Sequence, residues 1–317
     1  MSKLYDILFN PIFLFILIFI TSVILFYAAW IELGALQLGQ VVRDDGPESH
    51  LKKTGTPTMA GLVFIIIFLV VEVFLLILKD YINGTLALKI NIFIIIFGFI
   101  GLIDDYLKVT KKNTKGLPGI FKLILQILFA VFGLIICFNY NTMSNFAVFA
   151  FLIFIIVGTN NGVNFTDGID GLCALVTIVV SIFYISLSVG RETNELLYIN
   201  LLILAILLAF LIFNHHPAKI FMGDTGSLFL GAYVAFMAIA LGVEYYLPIF
   251  GVVYMVEVLS VILQVSYFKL THGKRLFKMA PIHHHFEKCG FSENQIVALF
   301  TFVTVIACAL AYFLIRR

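Results

Sequence analysis

Ten apolar runs separated by short polar gaps govern what this chain can fold into. They fall at about 11–33, 57–78, 88–103, 119–138, 144–160, 171–189, 196–213, 226–242, 246–268 and 295–315. A bilayer-crossing helix needs about 20 mainly apolar residues, so these runs leave little of the 317 residues for a soluble domain. With 62% hydrophobic and only 12% charged residues, and a mean hydropathy of +1.09, the chain carries more apolar surface than a water-soluble domain can bury. The expected fold is an all-α integral membrane protein of about ten transmembrane helices, with residues 1–317 forming a single polytopic domain. Neither a fixed internal repeat nor a low-complexity linker divides it. The first run is longer than the roughly 7–15 residue core of a signal peptide and lacks a small-residue cleavage site, so it reads as a mature helix.

Orientation follows from the cations. Thirteen of the twenty Lys and Arg lie in the gaps after runs one, three, five, seven and nine: Arg43, Lys52, Lys53, Lys108, Lys111, Lys112, Lys115, Lys219, Lys269, Lys274, Arg275, Lys278 and Lys288. The positive-inside rule puts those gaps in the cytoplasm, which makes both termini extracytoplasmic. The same side holds seven of the nine aspartates but only three of the nine glutamates, so general acidity does not explain the enrichment. Any chemistry is therefore expected on the cytoplasmic face. Cys137, Cys173, Cys289 and Cys308 show no metal-ligand or disulfide spacing and read as packing residues.

Five segments carry the distinctive polar groups. In F-G-F-I-G-L-I-D-D-Y, Asp104 and Asp105 close an apolar stretch; the plain reading is a helix end meeting water or pairing with Lys108. Adjacent carboxylates at a membrane boundary are costly without a cation, which points instead to a metal ligand or general base. G-T-N-N-G-V-N-F-T-D-G-I-D-G-L, residues 158–172, reads as a tight polar turn in which Asn164, Asp167 or Asp170 could cap the next helix. One cap uses one residue, and the surplus of polar groups beside glycines suits a ribose, a base or a cation. Asp224, in F-M-G-D-T-G-S-L, could be an N-cap or a magnesium ligand, and Phe221 offers a ring that could stack on a base or anchor at the interface.

The first polar gap places Lys52 and Lys53 beside Thr56 and Thr58, where they could hold a phosphate oxygen; no P-loop occurs. The longest gap, residues 271–291, joins cations to His283, His284 and His285, a set better suited to phosphate than to one metal ion. Its cations also suit anionic headgroups. Glu257 lies mid-run, where an ionisable group is a functional candidate by default, and Pro248 marks a tilt or break at the start of that run.

D-D-G-P-E-S-H-L-K-K-T-G-T-P-T-M, G-L-I-D-D-Y, N-F-T-D-G-I-D-G-L, F-M-G-D-T-G-S-L and M-A-P-I-H-H-H-F-E, in this order, resemble the polyprenyl-phosphate N-acetylhexosamine-1-phosphate transferase superfamily. P-I-H-H-H-F-E-K-C-G-F resembles its phospho-N-acetylmuramoyl-pentapeptide transferase branch. Ala60, Gly162, Phe165 and Phe291 depart from the usual pattern without removing a polar group. The resemblance implies a multi-pass enzyme of the bacterial inner (cytoplasmic) membrane that uses Mg2+ to transfer phospho-MurNAc-pentapeptide from UDP-MurNAc-pentapeptide to undecaprenyl phosphate. The products would be lipid I and UMP, in peptidoglycan synthesis and cell-wall biogenesis.

By the same resemblance Asp104, Asp105 and Asp224 are catalytic, with Asp224 the metal ligand and Asp167 aiding metal or substrate. Lys53, Gly168, Ile169, Asp170 and Phe221 would hold the nucleoside. Thr58, Lys122, Asn164, Asn214, Ser227, His283 and His284 would make further substrate contacts. The lipid tail would lie near runs five and nine, and a homodimer fits the family. The alternatives are a related GlcNAc-1-phosphate transferase and, in a different class, a secondary transporter. Transporters place coupling sites near the membrane midplane, whereas here the acids gather at one face.

Overall fold

The computed structural model describes residues 10–36, 39, 53, 55–77, 85–111, 116–139 and 145–316. Arg43, Asp44, Asp45, Lys52, Lys112 and Lys115 lie outside them, as do both chain ends. The described residues form helices α1 (Pro11–Ala35), α2 (Gly61–Ile77), α3 (Thr85–Thr110), α4 (Gly119–Phe138), α5 (Phe146–Thr166), α6 (Leu172–Gly190), α7 (Asn194–Asn214), α8 (Gly223–Ala240), α9 (Leu247–Phe250), α10 (Val252–Leu270), α11 (Ile282–Lys288) and α12 (Glu293–Ile315). Nine of these are long and apolar enough to cross a membrane, and α2, with 17 residues, accounts for the remaining apolar run. Apart from one β-bridge between Gly39 and Pro57, the regular structure among the described residues is thus all helical, that of a multi-pass membrane protein.

Helix α8 is the axis of the bundle. Of its apolar window 83% is buried, against 22% for α1 and 22% for α10, whose outer faces are left for lipid. Around it pack α3, α5 and α2, while α7 carries α1 and α6, and α10 lies against α5. Lipid tails are as apolar as leucine, so close packing rather than water exclusion holds such helices together. Small residues supply it: a Cβ at Gly101 of α3 would overlap the backbone at Asp224, and one at Gly61 would overlap Gly226. On the same axis Phe64, buried completely, meets Phe26, Phe210 and Phe229 edge-on, with ring centroids 5.6, 5.2 and 6.2 Å apart.

Three expectations change. First, α3 continues to Thr110, so Asp104 and Asp105 sit inside its last two turns rather than at a helix end. Second, residues 158–166 are the final turns of α5, not a turn between spans. Their amides can stay helical at membrane depth because they satisfy one another across helices: Gln126 donates to Asn160 Oδ1 (3.0 Å), Asn161 donates to Gln126 Oε1 (2.6 Å) and Asn160 donates to the Leu228 carbonyl (2.7 Å). Third, the ninth run is divided. Pro248 sits in the first turn of the short α9, and the break comes at Gly251, before α10 begins.

Candidate active site

The ends of α3, α5 and α7 and the starts of α4, α6, α8 and α12 come together at one end of the bundle, with the first turns of α10 alongside. The centre is the start of α8. A helix begins with backbone N–H groups that have no partner in the helix itself, yet neither Met222 nor Asp224 caps this one with its side chain. Asp105 does so from α3: its carboxylate accepts from the Asp224 N–H (3.0 Å), the Thr225 N–H (2.8 Å) and the Thr225 hydroxyl (2.7 Å). Asp224, read from sequence as a possible cap, is thereby left for other work. Asp105 is spent on holding α8.

Asp104 and Asp224 face each other across two cations. Lys108 lies 2.6 Å from Asp104 Oδ2 and 2.8 Å from Asp224 Oδ2. Lys122, from the first turn of α4, lies 2.6 Å from Asp224 Oδ2 and 3.9 Å from Asp104. Asp104 also accepts the Leu117 N–H at 2.6 Å, which fixes the approach to α4. The other Asp224 oxygen accepts from Asn164 (3.0 Å), whose amide also donates to Ser227 Oγ (2.7 Å). The plain pairing of Asp104 with Lys108 is therefore present, within a larger cluster. Oxygens of Asp104, Asp105 and Asp224 lie within 4.8 Å of one another, a group that could hold a metal ion. Three carboxylates against two lysines leave negative charge, and the all-oxygen donors are those a hard divalent cation prefers.

A second cluster surrounds Asp170. Lys53 reaches both Asp170 Oδ1 and Glu293 Oε2 at 2.7 Å. Asp170 Oδ2 accepts from the Ala218 N–H and meets His216 Nδ1, each at 3.0 Å, while the Asp170 N–H donates to Glu293 (3.2 Å). Asn214 braces it from behind, accepting from Gly171 N–H (3.1 Å) and donating to the Ile220 carbonyl (2.9 Å). Asp170 does not cap α6, whose N-cap is Gly171 with no side-chain bond. Lys53, grouped by sequence with Thr56 and Thr58, is instead held by two carboxylates.

Phe221 is only partly buried at the rim, its backbone zipped to the chain before α2: its N–H donates to the Pro57 carbonyl (2.8 Å) and its carbonyl accepts from Ala60 N–H (3.0 Å). Thr58 is buried beside this junction, and Ile169 is buried under the 167–170 turn. Asp167 lies between the two clusters. Burial, reinforced by the charges of Asp224, Asp105 and Asp170, pushes its carboxyl well above the ordinary carboxylate range. The residue keeps some surface, but the carboxyl itself is packed round by protein.

The three histidines do not form a phosphate-facing row. His283 is turned inward, its Nδ1 3.0 Å from both oxygens of the completely buried Glu257. His284 Nδ1 meets Glu287 at 2.6 Å, and His285 Nδ1 accepts the Lys278 N–H at 3.1 Å. Their places on the short α11 send the rings to different neighbours.

Comparison with known proteins decides the family. Residues 87–242 match the model for glycosyl transferase family 4. A phospho-N-acetylmuramoyl-pentapeptide-transferase of Carboxydothermus hydrogenoformans is 43% identical over 86% of this chain and 88% of its own length. Proteins of the same name from Clostridium perfringens and Acetivibrio thermocellus are each 42% identical, the first covering 88% of this chain and 90% of the relative, the second 96% and 95%. The chain belongs to the phospho-N-acetylmuramoyl-pentapeptide-transferase family. As a member of that family it is a transferase. Glu293, His216 and Lys108 join this site without having been picked out as site residues by the motifs. Glu293 sits behind Ser292 in a capping box, and its spacing from Ser292 and Gln295 reads as helix initiation alone.

Proposed function

We propose that the chain transfers phospho-MurNAc-pentapeptide from UDP-MurNAc-pentapeptide to undecaprenyl phosphate, releasing UMP and forming lipid I, at the cytoplasmic face of the bacterial inner membrane. The observation that carries this reading is the meeting of Asp104, Asp105 and Asp224 with Lys108 and Lys122 at one end of an otherwise apolar bundle. A membrane-bound phosphate and a soluble nucleotide sugar can both reach such an end. The cation bias of the gaps on that side supports its cytoplasmic placement, with both termini outside.

In the reaction an oxygen of the lipid phosphate forms a bond to the sugar-bearing phosphorus, and the bond from that phosphorus to UMP breaks. Little of this is covalent work for the protein, so its task is positioning and charge stabilisation. Asp224, with Asp104 beside it, fits Mg2+ by donor chemistry; when bound, the ion would neutralise charge on phosphate oxygens. Lys108 and Lys122 are the chain's own cations for those oxygens. Asp104 takes the proton of the acceptor phosphate or fixes its position, and Asp105 keeps α8 in place. Asn164 and Ser227 orient Asp224, while Asp167 adjoins both substrates. The turn at Gly168, Ile169 and Asp170, with Lys53 and the ring of Phe221, receives the uridine. Asn214, Thr58, His283 and His284 support that pocket.

Detergent-purified protein given UDP-MurNAc-pentapeptide and undecaprenyl phosphate should release UMP with magnesium and not with EDTA. UDP-GlcNAc offered in parallel should give none. Release from UDP-GlcNAc alone would move the chain to the GlcNAc branch, and release from neither donor would favour the transporter.

A further inference from the structure

Glu257 lies in α10, a helix largely exposed to lipid, yet it is completely buried and both of its oxygens are 3.0 Å from His283 Nδ1. A carboxylate only accepts hydrogen bonds, so the imidazole proton is placed on Nδ1. The other ring nitrogen, Nε2, is buried and has no hydrogen-bond partner among the described residues. It is aimed at one place, the turn between α5 and α6: a Cβ at Gly168 would overlap the ring at Nε2. Folded proteins rarely leave a buried polar atom without a partner, and the exceptions gather at functional positions. Here the unmatched atom faces the turn that carries Asp167 and Asp170.

We infer that Glu257 is a positioning residue for the transfer: it holds His283 in the Nδ1–H tautomer, so that Nε2 is presented as a hydrogen-bond acceptor at the Asp167–Gly168 turn, for a hydroxyl or N–H of the nucleotide-sugar donor. The inference rests on the proposed function for the identity of the donor, and on the geometry alone for the tautomer. It explains why a buried acid stands in a lipid-facing helix. It also gives Gly168 a specific reason to lack a side chain, since any Cβ would displace the ring.

Two readouts test it. Selective 15N-histidine spectra of the detergent-purified protein should show His283, identified by the resonance lost in His283→Asn, with its proton on Nδ1, distinct from the Nδ1–H signals that the carboxylate contacts of His216 and His284 would give. That signature should disappear in Glu257→Leu and persist in Glu257→Gln, which is isosteric and still offers an acceptor. In the transfer assay Glu257→Leu should lower kcat/KM for the donor about 10- to 100-fold, the scale on which partners that orient a working imidazole act. KM for the lipid acceptor should stay within about threefold, and Glu257→Gln should recover most of the loss. A purely structural Glu257 would change melting without changing the donor-to-acceptor balance. An Nε2–H tautomer in the wild type, or wild-type kinetics in Glu257→Leu, would overturn the inference. If the wild type released no UMP, the proposed function would fall, and an unaltered His283 tautomer in Glu257→Leu would sink this inference separately. If Glu257→Leu did not fold, Glu257→Gln with wild-type tautomer but a donor-selective loss would also overturn it.

Discussion

The Asp224 and Asp170 clusters are made of the same groups and are built to opposite ends. Around Asp170 the backbone takes part: Lys53 bridges Asp170 and Glu293, the Ala218 N–H and His216 meet the other Asp170 oxygen, and the Asp170 N–H donates to Glu293. Among the described residues only side chains gather around the Asp224 carboxylate, Lys108, Lys122 and Asn164, although each cluster holds one more carboxylate than it has lysines. A cluster pinned by backbone donors makes a firm wall for a ligand recognised by hydrogen bonds, such as a nucleoside. One held by side chains alone can turn its lysines to incoming phosphates and its carboxylates to a cation. The difference between holding and reacting is thus a difference in how the charges are held, not in residue type.

Substitutions can break this contrast, beginning where the effect is largest. Asp224→Asn removes charge from the cluster held by side chains and should reduce UMP release on the order of a thousandfold, since a catalytic metal ion contributes several kcal/mol to the transition state. It should also flatten the magnesium dependence, and full activity would remove Asp224 from the site. Lys53→Met takes the lysine from the backbone-pinned cluster and should destabilise the protein by about 3 kcal/mol, because it leaves two buried carboxylates without their cation. Adding Glu293→Gln should return part of that stability without restoring KM for the donor. Denaturation in detergent and steady-state kinetics on the four proteins of the cycle would show the coupling. Phe221→Ala should raise KM for the donor roughly tenfold, as expected for loss of about 1–2 kcal/mol of ring stacking; an unchanged KM would end the stacking assignment.

The smallest effect concerns pH. Asp167 has its folded pKa raised, so its neutral form favours the folded state fully below the ordinary carboxylate range, and that contribution is lost as pH rises through the raised value. Without magnesium, wild-type melting should therefore fall with rising pH relative to Asp167→Asn, by on the order of a few degrees. Parallel curves from pH 5 to 8 would show that neither burial nor the neighbouring carboxylates raise the Asp167 carboxyl.

Length and hydropathy made the helices legible, because nothing but a bilayer accommodates so many apolar runs. Asp104, Asp224 and Asp170 stood inside motifs, and Lys122 entered only through the family resemblance. What sequence hid was how those parts were shared out. Glu293 and Ser292 look complete as a helix start, and nothing in that spacing shows a lysine from position 53 arriving at the same carboxylate. Asn160 and Asn161 look like loop residues until Gln126 is brought alongside by packing of α4 on α5. The histidine run looked like one surface, yet a helix turns successive residues by about 100° and so gives each ring a different neighbour.

Asp105 carries one more consequence. Because it grips the first turn of α8 while its neighbour Asp104 faces the lysines, the two residues act as a gauge block between helices: one jaw is fixed to α8 and the other sets the gap to Asp224. A change at Asp105 would therefore be felt as an error of distance at Asp104 and Asp224, even with every group that meets substrate still in place.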